Sequence, residues 1–186
     1  MRIIRGLLKG KSINFLKSST TRPLKDVVKE NIFNILEHSN LIDVKIKKAD
    51  VLDLYSGIGS FGLECISREA KKVTFIEQDK NAFNILKENL IKLSVNNQAK
   101  IINNKIENIL EKNIKDKFDI FFLDPPFANN EFYDVLNIIK KNKNYKTKHI
   151  VIIHRERKTE DDLINFLNIL FIKKYGRSKL IFGTFN

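Results

Sequence analysis

The sequence has few cysteine and histidine residues and no long apolar run, and each of these absences excludes a class of protein. Cys65 is the single cysteine, so no disulfide can form within the chain, which favours a reducing compartment such as the cytoplasm. No apolar run approaches the ~18 residues of a membrane span, and we predict no membrane partner. His38, His149 and His154 are scattered and, with one cysteine, give no metal-ligand spacing, so no metal is predicted.

Acidic residues are also missing from the start of the chain. The net charge is +12, from 34 Lys and Arg against 22 Asp and Glu, which favours a polyanionic partner such as nucleic acid. Residues 1–25 contain basic residues but no acid, as an organellar targeting segment would. We favour instead a β-hairpin with short strands at 2–4 and 12–15, which would act as a phosphate-binding arm.

Strand-like and helix-like apolar patterns alternate along the rest of the chain. Strands are predicted at 51–54, 73–76, 100–103, 118–123 and 149–153. Helices are predicted to begin at Thr21 to Pro23 and after Gly59, and to span 80–93, 106–114, 131–141 and 161–170. Two final strands at 171–175 and 179–185 are joined by a Gly-Arg-Ser turn. This order predicts a doubly wound α/β sheet that is closed by an antiparallel hairpin.

A glycine-rich turn joins the first predicted strand to a helix. Its pattern, Gly57-x-Gly59-x-x-Gly62, matches the dinucleotide fingerprint and would place free N–H groups at the carboxyl edge of the sheet. Asp53, just before the turn, would repel a pyrophosphate but would suit a cationic amine, such as the one in S-adenosylmethionine. The turn therefore favours a methyl donor, with an NAD-dependent oxidoreductase as the alternative. Glu77 ends the second strand, where an acid can accept from a ribose diol.

The fourth predicted strand runs into Asp124-Pro125-Pro126-Phe127. The two prolines stiffen this loop and lack N–H groups, which leaves its carbonyl oxygens free to accept. A nucleobase would stack on Phe127 while its exocyclic amine donates to Asp124 and to the Pro125 carbonyl. Two such acceptors would aim the nitrogen lone pair at a methyl donor, so that catalysis is mainly positioning and needs no strong general base.

These motifs resemble those of the RNA guanine-N2 methyltransferases that modify a guanine of bacterial 16S ribosomal RNA. The resemblance extends over nearly the whole chain. The segments that carry it are Arg2-Ile3-Ile4-x-Gly6, Thr21-Arg22-Pro23, Asp53-Leu54-Tyr55-Ser56-Gly57-x-Gly59, Glu77-x-Asp79, Asp124-Pro125-Pro126-Phe127 and Tyr175-Gly176.

The resemblance implies a Rossmann-like class I S-adenosylmethionine-dependent methyltransferase with a seven-stranded, mostly parallel sheet. It implies an RNA-binding arm at 1–20 and a methyltransferase domain at 21–186, acting in the cytoplasm as a monomer. The RNA-binding residues would be Arg2, Arg5, Lys9, Lys11 and Arg22, and the catalytic residues Asp124, Pro125, Pro126 and Phe127. The donor would be held by Asp53, Tyr55, Gly57, Gly59, Glu77, Gln78 and Asn104. Because Lys105 cannot accept from the adenine amine, Asn104 or a backbone group would do so.

Several alternatives remain open from the sequence. The Asp124-Pro125-Pro126-Phe127 loop does not itself distinguish guanine N2 from adenine N6. An adenine-N6 methyltransferase of DNA or RNA is therefore the second hypothesis for the enzyme. A ribosome-assembly factor that binds RNA without turnover would keep the same fold. The substrate is free 16S RNA or a partly assembled small subunit, and its target base must be unpaired or flipped out.

Overall fold

A computed structural model describes residues 1–15, 24–111, 115–126 and 130–186. The strands are β1 (Asp50–Leu54), β2 (Lys72–Glu77), β3 (Ala99–Asn103), β4 (Phe118–Leu123), β5 (Tyr145–Glu156), β6 (Leu167–Tyr175) and β7 (Ser178–Phe185). The helices are α1 (Asp26–His38), α2 (Ser60–Ser67), α3 (Lys80–Leu93), α4 (Ile106–Glu111) and α5 (Phe132–Asn142), with a short 3₁₀ turn at Asn96–Gln98.

One seven-stranded sheet with the order β3-β2-β1-β4-β5-β7-β6 organises these elements. The first five strands of this order pair in parallel, and β7 pairs antiparallel with both β5 and β6. The predicted doubly wound sheet with a closing hairpin is therefore confirmed. The strand order reverses at β1, between β2 and β4, and ligands of such sheets bind beyond the carboxyl ends of the strands at that point.

The central strands are apolar on both faces because helices cover both sides of the sheet. Alternate residues of one strand point into different cores: Val51 packs on the side of α1, α2 and α3, whereas Leu52 packs on the side of α4 and α5. Phe122 and Phe121 divide between the two cores in the same way, and all four side chains are at most 3% exposed. No helix within the described ranges is long and apolar enough to cross a bilayer.

The predicted helix at 161–170 is wrong. Residues from Leu167 onward belong to β6, which pairs with β7 from Leu167–Phe185 to Tyr175–Ser178. Helical apolar spacing is a weak local signal, and here pairing with a distant strand overrides it. Asp161 also lies outside any helix, and its buried carboxylate pairs with Arg155 and Lys179 at 3.0 and 2.7 Å.

The amino-terminal arm, residues 1–15, follows a hairpin path, but its β-ladder is a single bridge between Arg2 and Ser12. The predicted strands at 2–4 and 12–15 are thus shorter than expected, because the N–H groups of Ile4 and Arg5 donate to the Glu64 carboxylate of α2 instead of to a partner strand. Ile3 and Ile13 are 1% and 3% exposed and join the core beside α1 and α2. The predicted helix start at Thr21 to Pro23 lies outside the described residues, and α1 begins at Asp26.

Candidate active site

The acids singled out in the sequence lie at one edge of the sheet. Leu54 of β1 pairs with Ile76 of β2 and with Leu123 of β4, so Glu77 and Asp124 each stand one residue beyond a partner of Leu54. Asp53 precedes Leu54 in the same strand. Parallel pairing alone therefore gathers these carboxyl groups, as the sequence predicted.

The glycine turn is closed by backbone hydrogen bonds and by close packing. Ser56 N–H donates to the Ile76 carbonyl at 3.2 Å, and Gly59 N–H donates to the Ser56 carbonyl at 2.8 Å. Gly59 has φ of 84°, and a Cβ at this position would lie 2.4 Å from a Leu86 methyl group. Gly57 also has positive φ, but a Cβ there would meet nothing within 4 Å, so the turn is open on that side.

Asp53 is the most tightly enclosed acid of this edge, at 1% exposure. Its Oδ2 accepts from Gly62 N–H at 3.0 Å, whereas its buried Oδ1 accepts no hydrogen bond from any described residue. Burial raises the pKa of Asp53 well above 3.8, the Gly62 hydrogen bond opposes that rise, and the charges of Asp124 and Glu77 add to it. A buried carboxylate oxygen without a donor, among other acids, fits a ligand with a cationic amine.

Glu77 links β2 to the glycine turn. Its Oε2 accepts from Gly57 N–H at 2.7 Å and its Oε1 from Asp79 N–H at 2.8 Å. Burial raises the pKa of Glu77, and the two backbone hydrogen bonds oppose the rise. Each carboxylate oxygen keeps a second lone pair, so ribose hydroxyl groups fit here as well. Asp79 caps α3, accepting from Ala82 N–H at 2.7 Å.

The other predicted donor-binding residues lie around this turn with different surroundings. Tyr55 has φ of 58°, and its hydroxyl is buried without a hydrogen-bond partner among the described residues. Gln78 is exposed, and its carbonyl accepts from Asn103. The Oδ1 of Asn104 accepts from Lys105 N–H at 2.8 Å and from the Asn108 amide at 3.1 Å. That oxygen is therefore engaged at the start of α4, which favours a backbone acceptor for an adenine amine.

The Asp-Pro-Pro loop is held by the end of β5. Asp124 Oδ1 lies 2.8 Å from His154 Nδ1, and the Pro126 carbonyl accepts from Arg155 at 3.3 Å. Pro125 is buried and Phe127 lies outside the described residues. Neither His154 nor Arg155 was predicted as a site residue, although both lie at the carboxyl end of a predicted strand, which is the sequence signal for such residues.

The basic residues of the arm are spread along α2. Leu7 N–H donates to the Ser67 carbonyl at 2.8 Å, so the turn that holds Arg5 and Lys9 lies at the end of α2 away from the glycine loop. The Arg2 carbonyl instead accepts from Lys29, which also donates to Ser60 at the start of α2. The two ends of this eight-residue helix are about 12 Å apart.

The exposed charges of the arm differ in their pairing. Arg5 pairs with Glu37 at 2.8 Å, and the negative charge of Glu37 weakens the attraction of Arg5 for a phosphate. Arg2, Lys9 and Lys11 are exposed and form no ion pair with a described residue. Arg22 lies outside the described residues.

The sequence is similar to those of known and provisionally described methyltransferases. A family described as conserved hypothetical protein 95 matches residues 1–184. Ribosomal RNA small subunit methyltransferase D of Haemophilus influenzae is 36% identical over 159 residues, which cover 84% of this chain and 79% of the relative. The protein of the same name from Buchnera aphidicola is 34% identical over 181 residues, covering 97% and 88%.

Solved structures agree as well. An Escherichia coli protein provisionally described as a methyltransferase superposes with a TM-score of 0.83 at 26% identity, covering 100% of this chain and 97% of the other. A Haemophilus influenzae protein provisionally described as a methylase gives 0.78 at 32% identity, covering 98% and 96%. These matches confirm the resemblance that the motifs predicted. The chain therefore belongs to the family described as conserved hypothetical protein 95, with ribosomal RNA small subunit methyltransferase D proteins among its relatives.

Proposed function

We propose that this protein is an S-adenosylmethionine-dependent methyltransferase that modifies the exocyclic N2 of a guanine in 16S ribosomal RNA. The observation that supports the proposal most strongly is the placement of two acids at the ends of the neighbouring strands β1 and β4. Asp53, in β1, is enclosed by the glycine turn, and Asp124, after β4, begins the Asp-Pro-Pro loop. The names of the two relatives, ribosomal RNA small subunit methyltransferase D, support an RNA substrate from the small subunit.

The donor-binding role falls to the residues around the glycine turn. Asp53 Oδ1 would accept from the methionine ammonium and Glu77 from the ribose hydroxyls; the open side of Gly57 would allow close approach, while Gly59 lets the turn pack against Leu86. When bound, the sulfonium group supplies the electrophilic methyl. The net positive charge of the donor would oppose the burial and the repulsion by Asp124 and Glu77 that raise the pKa of Asp53.

The acceptor role falls to the Asp-Pro-Pro loop. Asp124 Oδ1 is engaged by His154, and its Oδ2 accepts no hydrogen bond from a described residue, so Oδ2 is the oxygen left for a base amine. The Pro126 carbonyl is engaged by Arg155, which leaves the Pro125 carbonyl as the second acceptor in the loop. Holding both amine hydrogens orients the nitrogen lone pair, and the proton leaves after the methyl has been transferred.

RNA binding would be shared by several exposed cations. Arg2 and Lys11 are proposed to contact phosphates, and Lys9 would do so farther from the glycine turn. Such contacts are independent of sequence and weaken as salt increases. We propose that the protein acts as a monomer on an unpaired or flipped guanine.

The test is methyl transfer from tritiated donor to small-subunit RNA, followed by digestion to nucleosides. We expect label in N2-methylguanosine, whereas label in N6-methyladenosine would contradict the assignment of the base. Asp124→Ala is expected to lose about 100-fold or more in kcat while its donor affinity, measured by calorimetry, stays unchanged. Asp43→Ala is the matched control, because Asp43 is 77% exposed and, among the described residues, pairs only with Lys148 at 3.6 Å. Full activity in Asp124→Ala would refute the role given to the loop.

A further inference from the structure

We infer that His154 is a positioning residue for methyl transfer, which fixes the Asp124 carboxylate so that one defined oxygen faces the substrate amine. The inference rests on the proposed function and adds a residue that the motifs do not contain. His154 would touch neither the donor nor the base. It would act through Asp124.

The register of the sheet places the two side chains together. Ile153 of β5 pairs with Leu123 of β4, so His154 and Asp124 are the next residues of two neighbouring parallel strands. His154 Nδ1 lies 2.8 Å from Asp124 Oδ1, and the two side chains are 10% and 21% exposed. Because an ionised carboxylate only accepts hydrogen bonds, Nδ1 carries the proton and donates it in a charge-assisted contact.

This contact determines the direction of the carboxylate. The backbone N–H of Asp124 donates to the Leu54 carbonyl at 3.4 Å, which leaves the two side-chain torsions of Asp124 to be fixed by other contacts. With Oδ1 held by His154, rotation of the carboxylate is restricted, and Oδ2 is the oxygen that accepts no hydrogen bond from a described residue. An acceptor fixed before the substrate arrives does not have to be ordered during the reaction.

The strand that carries His154 is a rigid support. β5 lies between β4 and β7, and the next residue, Arg155, is 1% exposed and donates to the Pro126 carbonyl. Arg155 is itself held by Asp161 at 3.0 Å. The end of β5 therefore contacts the loop at both Asp124 and Pro126, which limits its movement relative to β1.

The test compares three substitutions of His154 in the whole protein. In His154→Asn the side-chain amide takes the place of Nδ1–H, in His154→Gln it takes the place of the Nε2 side of the ring, and His154→Leu fills space without a donor. We expect His154→Asn to stay within about 3-fold of the wild-type kcat, and the other two to lose roughly 10- to 100-fold, since a charge-assisted hydrogen bond is removed. Donor affinity should be unchanged in all three.

A double-mutant cycle separates positioning from simple packing. In the Asp124→Ala background, His154→Leu is expected to cause no further loss of kcat, because the group that it positions is gone. His149→Asn is the matched control: His149 lies in the same strand, but its ring contacts the Lys146 carbonyl at 2.7 Å and the Phe185 N–H at 2.9 Å. It should lower the melting temperature and leave kcat unchanged.

The outcomes distinguish this inference from the proposed function. An active wild type with an equally active His154→Leu variant overturns the role of His154 alone, as does a His154→Asn variant that loses as much as His154→Leu. If His154→Leu does not fold, the comparison of Asn with Gln decides instead. A wild-type protein that methylates no nucleobase overturns both proposals.

Discussion

Replacing Asp53 by asparagine should change stability and donor affinity in opposite directions. Asp53 is 1% exposed, and its Oδ1 accepts no hydrogen bond from a described residue. The asparagine oxygen can still accept from Gly62 N–H, while the buried charge disappears. A buried charge that lacks a full set of hydrogen bonds costs more than a buried neutral amide, by about 1–3 kcal/mol. We therefore expect the free energy of unfolding of the ligand-free protein to rise by about that amount at neutral pH, or ~2–12 °C in Tm for a chain of this size.

The effect should depend on pH in a defined direction. In the unfolded chain Asp53 titrates near 3.8, and in the folded protein its pKa is raised by burial, so folding favours the protonated form. Below pH 3.8 both states are protonated and the cost is absent, and it grows as the pH rises from there through the raised pKa. The advantage of Asp53→Asn should thus increase from pH 4 towards neutral pH in urea titrations.

The same substitution should weaken donor binding. Loss of a hydrogen bond between charged groups costs about 1.5–3 kcal/mol, which corresponds to roughly a 10- to 150-fold higher Kd for S-adenosylmethionine in calorimetry. Asp119→Asn serves as a contrast in the same sheet, because Asp119 accepts from Asp50 N–H and Lys146 and its loss should only destabilise. The reasoning is refuted if Asp53→Asn destabilises the ligand-free protein, or if it binds the donor as tightly as wild type.

Two further predictions concern the packing around α2. Gly62→Ala should lower the free energy of unfolding by about 1–3 kcal/mol, because its Cβ would lie 2.2 Å from the buried Phe75 ring. Gly176→Ala, where a Cβ meets nothing within 4 Å, should cost only the strain of its positive φ, and equal losses in chemical denaturation would contradict this account. Glu64→Gln should cost about 3–5 kcal/mol, since it leaves Arg68 and the buried Lys29 without their shared carboxylate. Hydrogen exchange should then accelerate at the Ile4 and Arg5 amides, and unchanged exchange there would show that Glu64 does not hold the arm.

The parts of the fold that are coded locally could be predicted from the sequence. The run Val51 to Leu54 is apolar because helices cover both faces of its strand, and three glycines follow where the chain turns. Asp79 directly precedes the predicted helix at 80–93, where an aspartate is a favourable N-cap, and it caps α3 in the structure. The meeting of Asp53, Glu77 and Asp124 also follows, because parallel strands bring their carboxyl ends to one edge.

The parts that depend on distant partners could not be predicted in this way. Residues 167–170 have helical apolar spacing, but they are a strand because β7 provides a hydrogen-bonding edge. Glu64 reads as an ordinary helix residue, yet it is fully buried and accepts from Ile4 and Arg5, about sixty positions earlier in the chain. The contact between His154 and Asp124 likewise depends on the register between β4 and β5, which the sequence does not show.

The electrostatics of the sheet edge explain why the glycine turn suits a methyl donor better than a dinucleotide. The sequence predicted free N–H groups in this turn, but those of Gly57, Gly59 and Gly62 donate within the protein, so either ligand would approach at the open side of Gly57. A pyrophosphate, however, would add negative charge beside Asp53, whose pKa is already raised by burial and by the charges of Asp124 and Glu77. A cationic donor reverses the sign of that interaction. Since neighbouring strands are ~4.8 Å apart, a donor held at the end of β1 and an amine held at the end of β4 come within reach of each other without movement of the sheet.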